Sequence, residues 1–229
     1  MIGPRIAQAF RSTAKMAKSL DQCSISHLYR AGVLEKGTIE SVFKPDQSLN
    51  DRVYILEADI TKLKVDAIVN AAKRSLSGGG GVDGAIHSAA GGGLAEECLK
   101  LPVVREGSST RCETGDAKIT KAYNLPCKNV IHAVGPNIAE GEDMLKNEEL
   151  LRSCYYNSLK LAVENDLESI AFPCISTAIF SYPPEEACRV ALGAVRYFLE
   201  NKPNKLKKVV FCCFSLTPRD FKLYTKYAQ

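Results

Sequence analysis

The feature that most constrains this chain is the stretch from Val65 to His87. Val65-Asp66-Ala67-Ile68-Val69-Asn70-Ala71-Ala72 contains an apolar run of strand length, and Gly78, Gly79, Gly80 and Gly81 follow it closely. Val82-Asp83-Gly84 then opens a helix. Strand, glycine loop and helix start together make an anion cradle. Glycines let backbone N–H groups approach a phosphate, and the helix N-terminus adds donors and a positive dipole end. Asp83 and His87 are four residues apart, so they share a face of a helix that begins near Gly81. A carboxylate and an imidazole at one helix mouth suit phosphate binding or hydrolysis. No Gly-Lys-Ser/Thr follows the glycines, which argues against a P-loop. The apolar flanks argue against a flexible linker.

From residue 52 onward, strands and helices alternate. Strand candidates are residues 52–57, 67–70, 117–122, 129–134, 169–173 and 208–214. Several are continuous apolar runs, the pattern of strands covered on both faces. Between them, residues 150–163 and 184–199 carry one apolar stripe at helical spacing. Pro183-Pro184 suits a helix start, Asn201 to Pro203 an end, and Thr217-Pro218 opens a last helix through Tyr227. This alternation implies an α/β fold, a three-layer α/β/α sandwich on a mixed, largely parallel sheet. Ligands of such sheets bind beyond the carboxyl ends of the strands. The glycine loop lies there, and so does Cys174-Ile175-Ser176-Thr177-Ala178-Ile179-Phe180-Ser181-Tyr182. Two loops side by side could grip a diphosphate from both sides.

Charge places the rest. Residues 1–20 carry Arg5, Arg11, Lys15 and Lys18 and no acid, and the remaining 26 basic residues balance 26 acidic ones. A neutral body argues against a large nucleic-acid footprint. Two readings of the leader stay open: a mitochondrial transit peptide, or a basic amphipathic helix that docks on the domain. Localisation is accordingly mitochondrial, or else cytoplasmic or nuclear. Residues 1–40 are expected to be an extension and residues 41–229 the folded domain, with a short helix near residues 27–33. No apolar run spans a membrane. The nine cysteines are scattered, without a Cys-x-x-Cys, and the histidines are only His27, His87 and His132. Free buried thiols are expected, with no disulfide framework, structural metal or cofactor. Cys174 is the thiol nearest a ligand loop. No interface is legible, and a monomer is expected.

The chain resembles the macrodomain family, specifically the MacroD-type ADP-ribosyl hydrolases. The resemblance runs from about Val53 to the C-terminus. It rests on Asp59-Ile60-Thr61-Lys62-Leu63-Lys64-Val65 continuing into the stretch above, on Cys112-Glu113-Thr114-Gly115-Asp116, on Val130-Ile131-His132-Ala133-Val134-Gly135-Pro136, and on Phe172-Pro173-Cys174-Ile175-Ser176-Thr177. It implies a macrodomain that binds ADP-ribose and, without metal, removes mono-ADP-ribose from Asp and Glu side chains of proteins. It also implies action on O-acetyl-ADP-ribose and a place in the DNA damage response. The alternative is a reader module that binds ADP-ribose and turns over slowly or not at all.

By position, the resemblance puts Asp59 on the adenine amino group, with Ala58 and Ile60 beside it and Phe214 near the ring. Gly78 to Val82 and Ser176 to Ser181, following Ile175, would cradle the diphosphate, with Ala178 and Ile179 in that loop. Phe180 would pack on the distal ribose. Asn70, Ala71, Ala72 and Lys73 would line the distal ribose region, and Asp83, His87 and Asn70 would be catalytic. His132 is read as a buried strand residue. Among the positions that depart from the family pattern, with Ala58, Lys121 and Ala122 the milder ones, three bear on the site. Lys73 stands in place of an Asn, and an ammonium has no acceptor; it is expected to pair with Asp83 or with the diphosphate. Ala178 and Ser181 stand in place of glycines, at a cost of roughly 1 kcal/mol or more wherever the backbone needs positive φ.

Overall fold

The computed structural model describes residues 20–34, 44–141, 143–214 and 218–228. Six strands form one sheet: β1 (Val53–Glu57), β2 (Ala67–Ala71), β3 (Ala117–Lys121), β4 (Asn129–Ala133), β5 (Ser169–Phe172) and β6 (Lys208–Cys213). Their order is β1-β6-β5-β2-β4-β3. All neighbours are parallel except β3 and β4, a hairpin at one edge. The helices are α1 (Ile25–Arg30), α2 (Gln47–Asn50), α3 (Gly81–Ala90), α4 (Gly92–Lys100), α5 (Met144–Glu164), α6 (Pro184–Asn201) and α7 (Pro218–Tyr227).

The period of two along each strand sorts side chains onto two cores. Ile55, Val69, Ile131, Phe172 and Phe211 face α1, α2, α5, α6 and α7. Tyr54, Ile68, Val130, Ala171 and Val210 face α3 and α4. Both faces are therefore covered, as parallel strands require. Asn70 and His132 share the parity of the second set and lie on the α3 side.

Local signals account for the differences from the sequence expectation. The Asp143 side chain accepts from the Lys146 amide at 2.9 Å, so α5 begins at Met144 and not near residue 150. The sequence reading identified no helix at α4, because that helix opens on glycines, poor helix formers. Gly93 is required for space: a Cβ there would come within 2.5 Å of the Tyr123 ring. Residues 20–34 were assigned to the extension, yet Cys23, Ile25, Leu28 and Leu34 are buried in the two cores. The Ile55 amide donates to Cys23 O at 3.0 Å, and Ser24 bridges to Tyr54. The short helix lies slightly earlier than expected. The amphipathic pattern within residues 1–19 lies outside the described residues. Among the described residues, no helix is long and apolar enough to cross a membrane.

Candidate functional site

The site lies where the carboxyl ends of β2, β4 and β5 meet the start of α3. Leaving β2, the chain passes through the glycine loop into the helix. Gly78 and Gly81 hold φ of +72° and +61°, a conformation that favours glycine. A Cβ on Gly84 would lie 2.5 Å from Gly79 O, so the first turn of α3 folds tightly onto the loop. The first-turn amides of α3 have no partner within the helix and face a cleft of about 220 Å³. Ala71, Ala72 and Lys73 line one part of it, and Gly79, Gly80, Gly81, Val82 and Asp83 its floor. Ile175, Ser176, Ala178, Ile179 and Phe180 form the opposite wall.

That second loop is built on its own backbone. The Tyr182 amide donates to Ser176 O at 2.9 Å, and Ser181 to Ala178 O at 3.1 Å. Ser176 and Ser181 have φ of +64° and +56°. Of the two positions that depart from glycine, Ser181 therefore carries the backbone strain. Ala178 is not among the residues with positive φ. The Ile179 side chain reaches over the glycines; a Cβ on Gly80 would touch it at 3.6 Å.

Asp83 is the polar centre. It is 5% exposed, in the first turn of α3, where the helix dipole favours negative charge. Asn70 Nδ2 donates to Asp83 Oδ1 at 2.8 Å. His87 Nε2 lies 3.4 Å from the same oxygen but makes no hydrogen bond. The second oxygen, Oδ2, faces the glycine loop, 3.1 Å from where a Cβ on Gly79 would stand. Asn70 Nδ2 also meets His132 Nδ1 at 3.1 Å, and His132 Nε2 meets Thr120 Oγ1 at 2.9 Å. With both amide hydrogens directed at acceptors, His132 carries its proton on Nε2 and hands it toward Thr120. Burial, and then the neighbouring His87, push the His132 imidazole down to about 3, so it is neutral. Asn70 Oδ1 is buried with no partner.

Not every residue singled out from the sequence lies on the cleft. Gly78, Thr177 and Ser181 belong to the two loops but do not line it, and Thr177 Oγ1 donates back to Cys174 O at 3.1 Å. Asn70 and His87 do not line the cleft; both lie against Asp83 Oδ1. Ala58, Asp59, Ile60 and Phe214 sit at the ends of β1 and β6, with the Ala58 amide donating to Cys213 O. Asp59 Oδ1 accepts from the amide and hydroxyl of Thr61 at 2.9 and 2.7 Å, so it caps a turn. Lys73 is exposed, and among the described residues its ammonium makes no ion pair. The expected pairing with Asp83 is absent; among the described residues the partners of that carboxylate are Asn70 and His87, both at Oδ1.

Gly135 lines the cleft and was not singled out; nor was Cys174, beyond its place before the loop. The glycine stands just past β4, where a Cβ would lie 2.1 Å from Ser176 Oγ. Its sequence signal was its place after a buried strand, beside the other two loops.

The family described as Macro domain matches residues 69–191. The chain belongs to the macrodomain family. It is 51% identical over 172 residues to the rat (Rattus norvegicus) protein named ADP-ribose glycohydrolase MACROD1, covering 75% of this chain and 63% of that one. It is 51% identical over 182 residues to macro domain-containing protein CT2219 of Chlorobaculum tepidum, covering 80% of this chain and 96% of the other. The Trypanosoma brucei macrodomain in complex with ADP-ribose superposes with a TM-score of 0.69 at 39% identity, over 81% of this chain and 73% of that one. The chain thus spans just under two thirds of its rat relative's length.

Proposed function

We propose that this macrodomain binds ADP-ribose and hydrolyses mono-ADP-ribose from Asp and Glu side chains of proteins. The observation that carries the reading is the half-occupied carboxylate of Asp83. Asn70 holds Oδ1 at 2.8 Å, while Oδ2 turns to the glycine loop at the cleft. A buried carboxylate oriented through one oxygen leaves the other to accept a proton. Water attacks the ester that joins ribose to protein, its proton passes to Asp83 Oδ2, and the ester C–O bond breaks. The products are ADP-ribose and a free side-chain carboxylate, which leaves with the bonding electrons. His87, close to Oδ1, orients the carboxylate. The α3 amides and the Ser176 loop hold the diphosphate. Phe180 covers the distal ribose, and Asp59 and Phe214 serve the adenine through the Asp59 oxygen that its turn leaves free. The name of the rat relative and the ligand in the trypanosomal complex support this reading.

The test is release of label from an acid-linked mono-ADP-ribosylated protein, with ADP-ribose affinity measured in parallel. Asp83→Ala is expected to lose about 100-fold or more in rate and to keep most of the binding. No release by the wild type refutes the hydrolase. Lys73 favours a second reading, a reader module. An unpaired ammonium on the cleft strengthens anion binding but supplies no acceptor for a ribose hydroxyl. Tight binding with no turnover is its signature. We also infer that the folded unit begins near Leu20, since the next fifteen residues pack into both cores. The leader ahead of it then acts as a transit or docking segment, which a reporter fusion decides.

A further inference from the structure

Beneath the cleft, three side chains from different elements converge. His87 comes from α3, Cys98 from α4 and His132 from β4, and one ligating atom of each lies within 4.8 Å of the others. We propose that His87, Cys98 and His132 form a binding site for zinc whose occupation disables Asp83. The sequence alone had no way to place Cys98 beside two histidines distant in the chain.

The geometry is nearly that of a metal site. Zn–S and Zn–N bonds of about 2.3 and 2.0–2.1 Å at a tetrahedral angle set S and N roughly 3.6 Å apart. Cys98 Sγ and His132 Nε2 are 3.5 Å apart. His87 Nε2 is buried and makes no hydrogen bond, so a ligand atom is free. The longer edges close by rotation of the His87 ring, which keeps 12% exposure while the His132 ring is fully buried. That ring also faces the glycine loop, 3.4 Å from where a Gly78 Cβ would stand. Two imidazoles and a thiolate select zinc over magnesium or calcium.

Occupation would propagate to the carboxylate through the Asn70 amide. Metal on His132 Nε2 moves the ring proton to Nδ1. Asn70 must then turn to present Oδ1, the atom that has no partner in the metal-free arrangement. Its Nδ2 is withdrawn from Asp83, and His87 is taken as a ligand. The carboxylate loses its support.

The experiment is titration of the full chain with Co²⁺ and Zn²⁺. In the wild type, one equivalent of Co²⁺ is expected to give a thiolate-to-cobalt charge-transfer band with tetrahedral d–d bands. Cys98→Ser should lose the band and Cys112→Ser should keep it, each with an unchanged melting temperature as the folding control. No band in the wild type, or a band that survives Cys98→Ser, overturns the site. The inhibitory consequence rests on the hydrolase reading. Zn²⁺ is expected to slow label release tenfold or more in the wild type and to leave Cys98→Ser unaffected. Equal inhibition of both overturns the proposed coupling. A wild type that releases no label refutes the function, while the cobalt band still decides the site.

Discussion

Gly135→Ala tests the meeting of the two loops. In the structure, an added Cβ stands 2.1 Å from Ser176 Oγ and 2.7 Å from Ile175 Cγ2, against 3.4 Å for an ordinary contact. The two clashes differ in kind. Ser176 Oγ has no hydrogen-bond partner and can rotate away about χ1. Ile175 cannot, because it is fully buried, and its methyl must retreat by about 0.7 Å, the difference between 3.4 and 2.7 Å. Forcing a side chain into a packed core costs about 1–3 kcal/mol. For a domain of this size that is a loss of roughly 2–12 °C in melting temperature. The displaced loop is the cleft wall, so ADP-ribose affinity should fall by about tenfold, with the cradle glycines untouched. Calorimetric titration and thermal denaturation read both effects. Gly193→Ala is the control: it lies within α6 with nothing within 4 Å of the new Cβ, and should stabilise by about 0.5–1 kcal/mol. A Gly135→Ala protein that melts and binds like the wild type would refute the reasoning, since Ile175 would then be free to move.

Three further outcomes are expected. Ser181→Gly removes a side chain held at φ +56° on the surface and should stabilise by roughly 0.5–1 kcal/mol once glycine's extra unfolded-state freedom is deducted, as denaturant unfolding will read. Lys73→Asn restores an acceptor at the cleft and should raise label release about five- to tenfold, the worth of one hydrogen bond; a fall would show that the ammonium has a place in the reaction. Asp66→Asn should destabilise by about 2–3 kcal/mol, because Asp66 Oδ2 accepts from the Glu168 and Ser169 amides and the Ser169 hydroxyl at 2.9–3.0 Å, and Oδ1 meets Lys128 at 2.7 Å. Burial works against the Asp66 charge, but these bonds outweigh it and hold the carboxyl below its ordinary 3.8. The unfolded chain therefore takes up the proton first. The contribution is fully present above that value and is lost as pH falls below it, so the variant's stability should decline less steeply in acid.

Much of the fold was legible because its signals are local. Apolar runs of strand length, a glycine turn and two striped helices suffice for a sandwich with a parallel sheet. The cradle and the pair Asp83 and His87 were legible for the same reason, since a four-residue spacing on a helix is a statement about one face. What escaped depends on register. Asn70 and His132 sit opposite each other only because β2 pairs with β4 at those two positions. Nothing in either strand alone specifies that pairing. His132 therefore read as a core residue, when its ring also determines which way the Asn70 amide faces. Cys98 and Gly135 were missed on similar grounds, being brought to the site by α4 and by the end of β4. Residues 20–34 are short, mixed and without a long stripe, and it is their contacts with β1 that show their apolar side chains in the core.

The polar seam under the cleft supports a functional reading through its energetics. The α3 face of the sheet is largely apolar elsewhere, with Ile68, Val130, Ala171 and Val210. Into it the chain places Asn70, Asp83 and His132, all buried, and leaves two atoms without partners, Asn70 Oδ1 and His87 Nε2. Each unpaired buried polar atom costs about 1–3 kcal/mol, and a buried carboxylate more unless it is hydrogen-bonded. Packing alone would favour valine or leucine at these positions. Costly groups gathered in one seam that ends at a glycine cradle fit a site organised for a bound partner. A ligand that supplies a donor to Asn70 Oδ1 should therefore stabilise the fold beyond what its contacts with the loops provide. ADP-ribose is expected to raise the melting temperature more than ADP, which lacks the distal ribose, at equal fractional saturation. Asn70→Asp, which puts a second carboxylate against Asp83, should abolish that difference. If ADP and ADP-ribose protect equally, the distal ribose does not engage the seam, and the catalytic assignment of Asp83 falls with it.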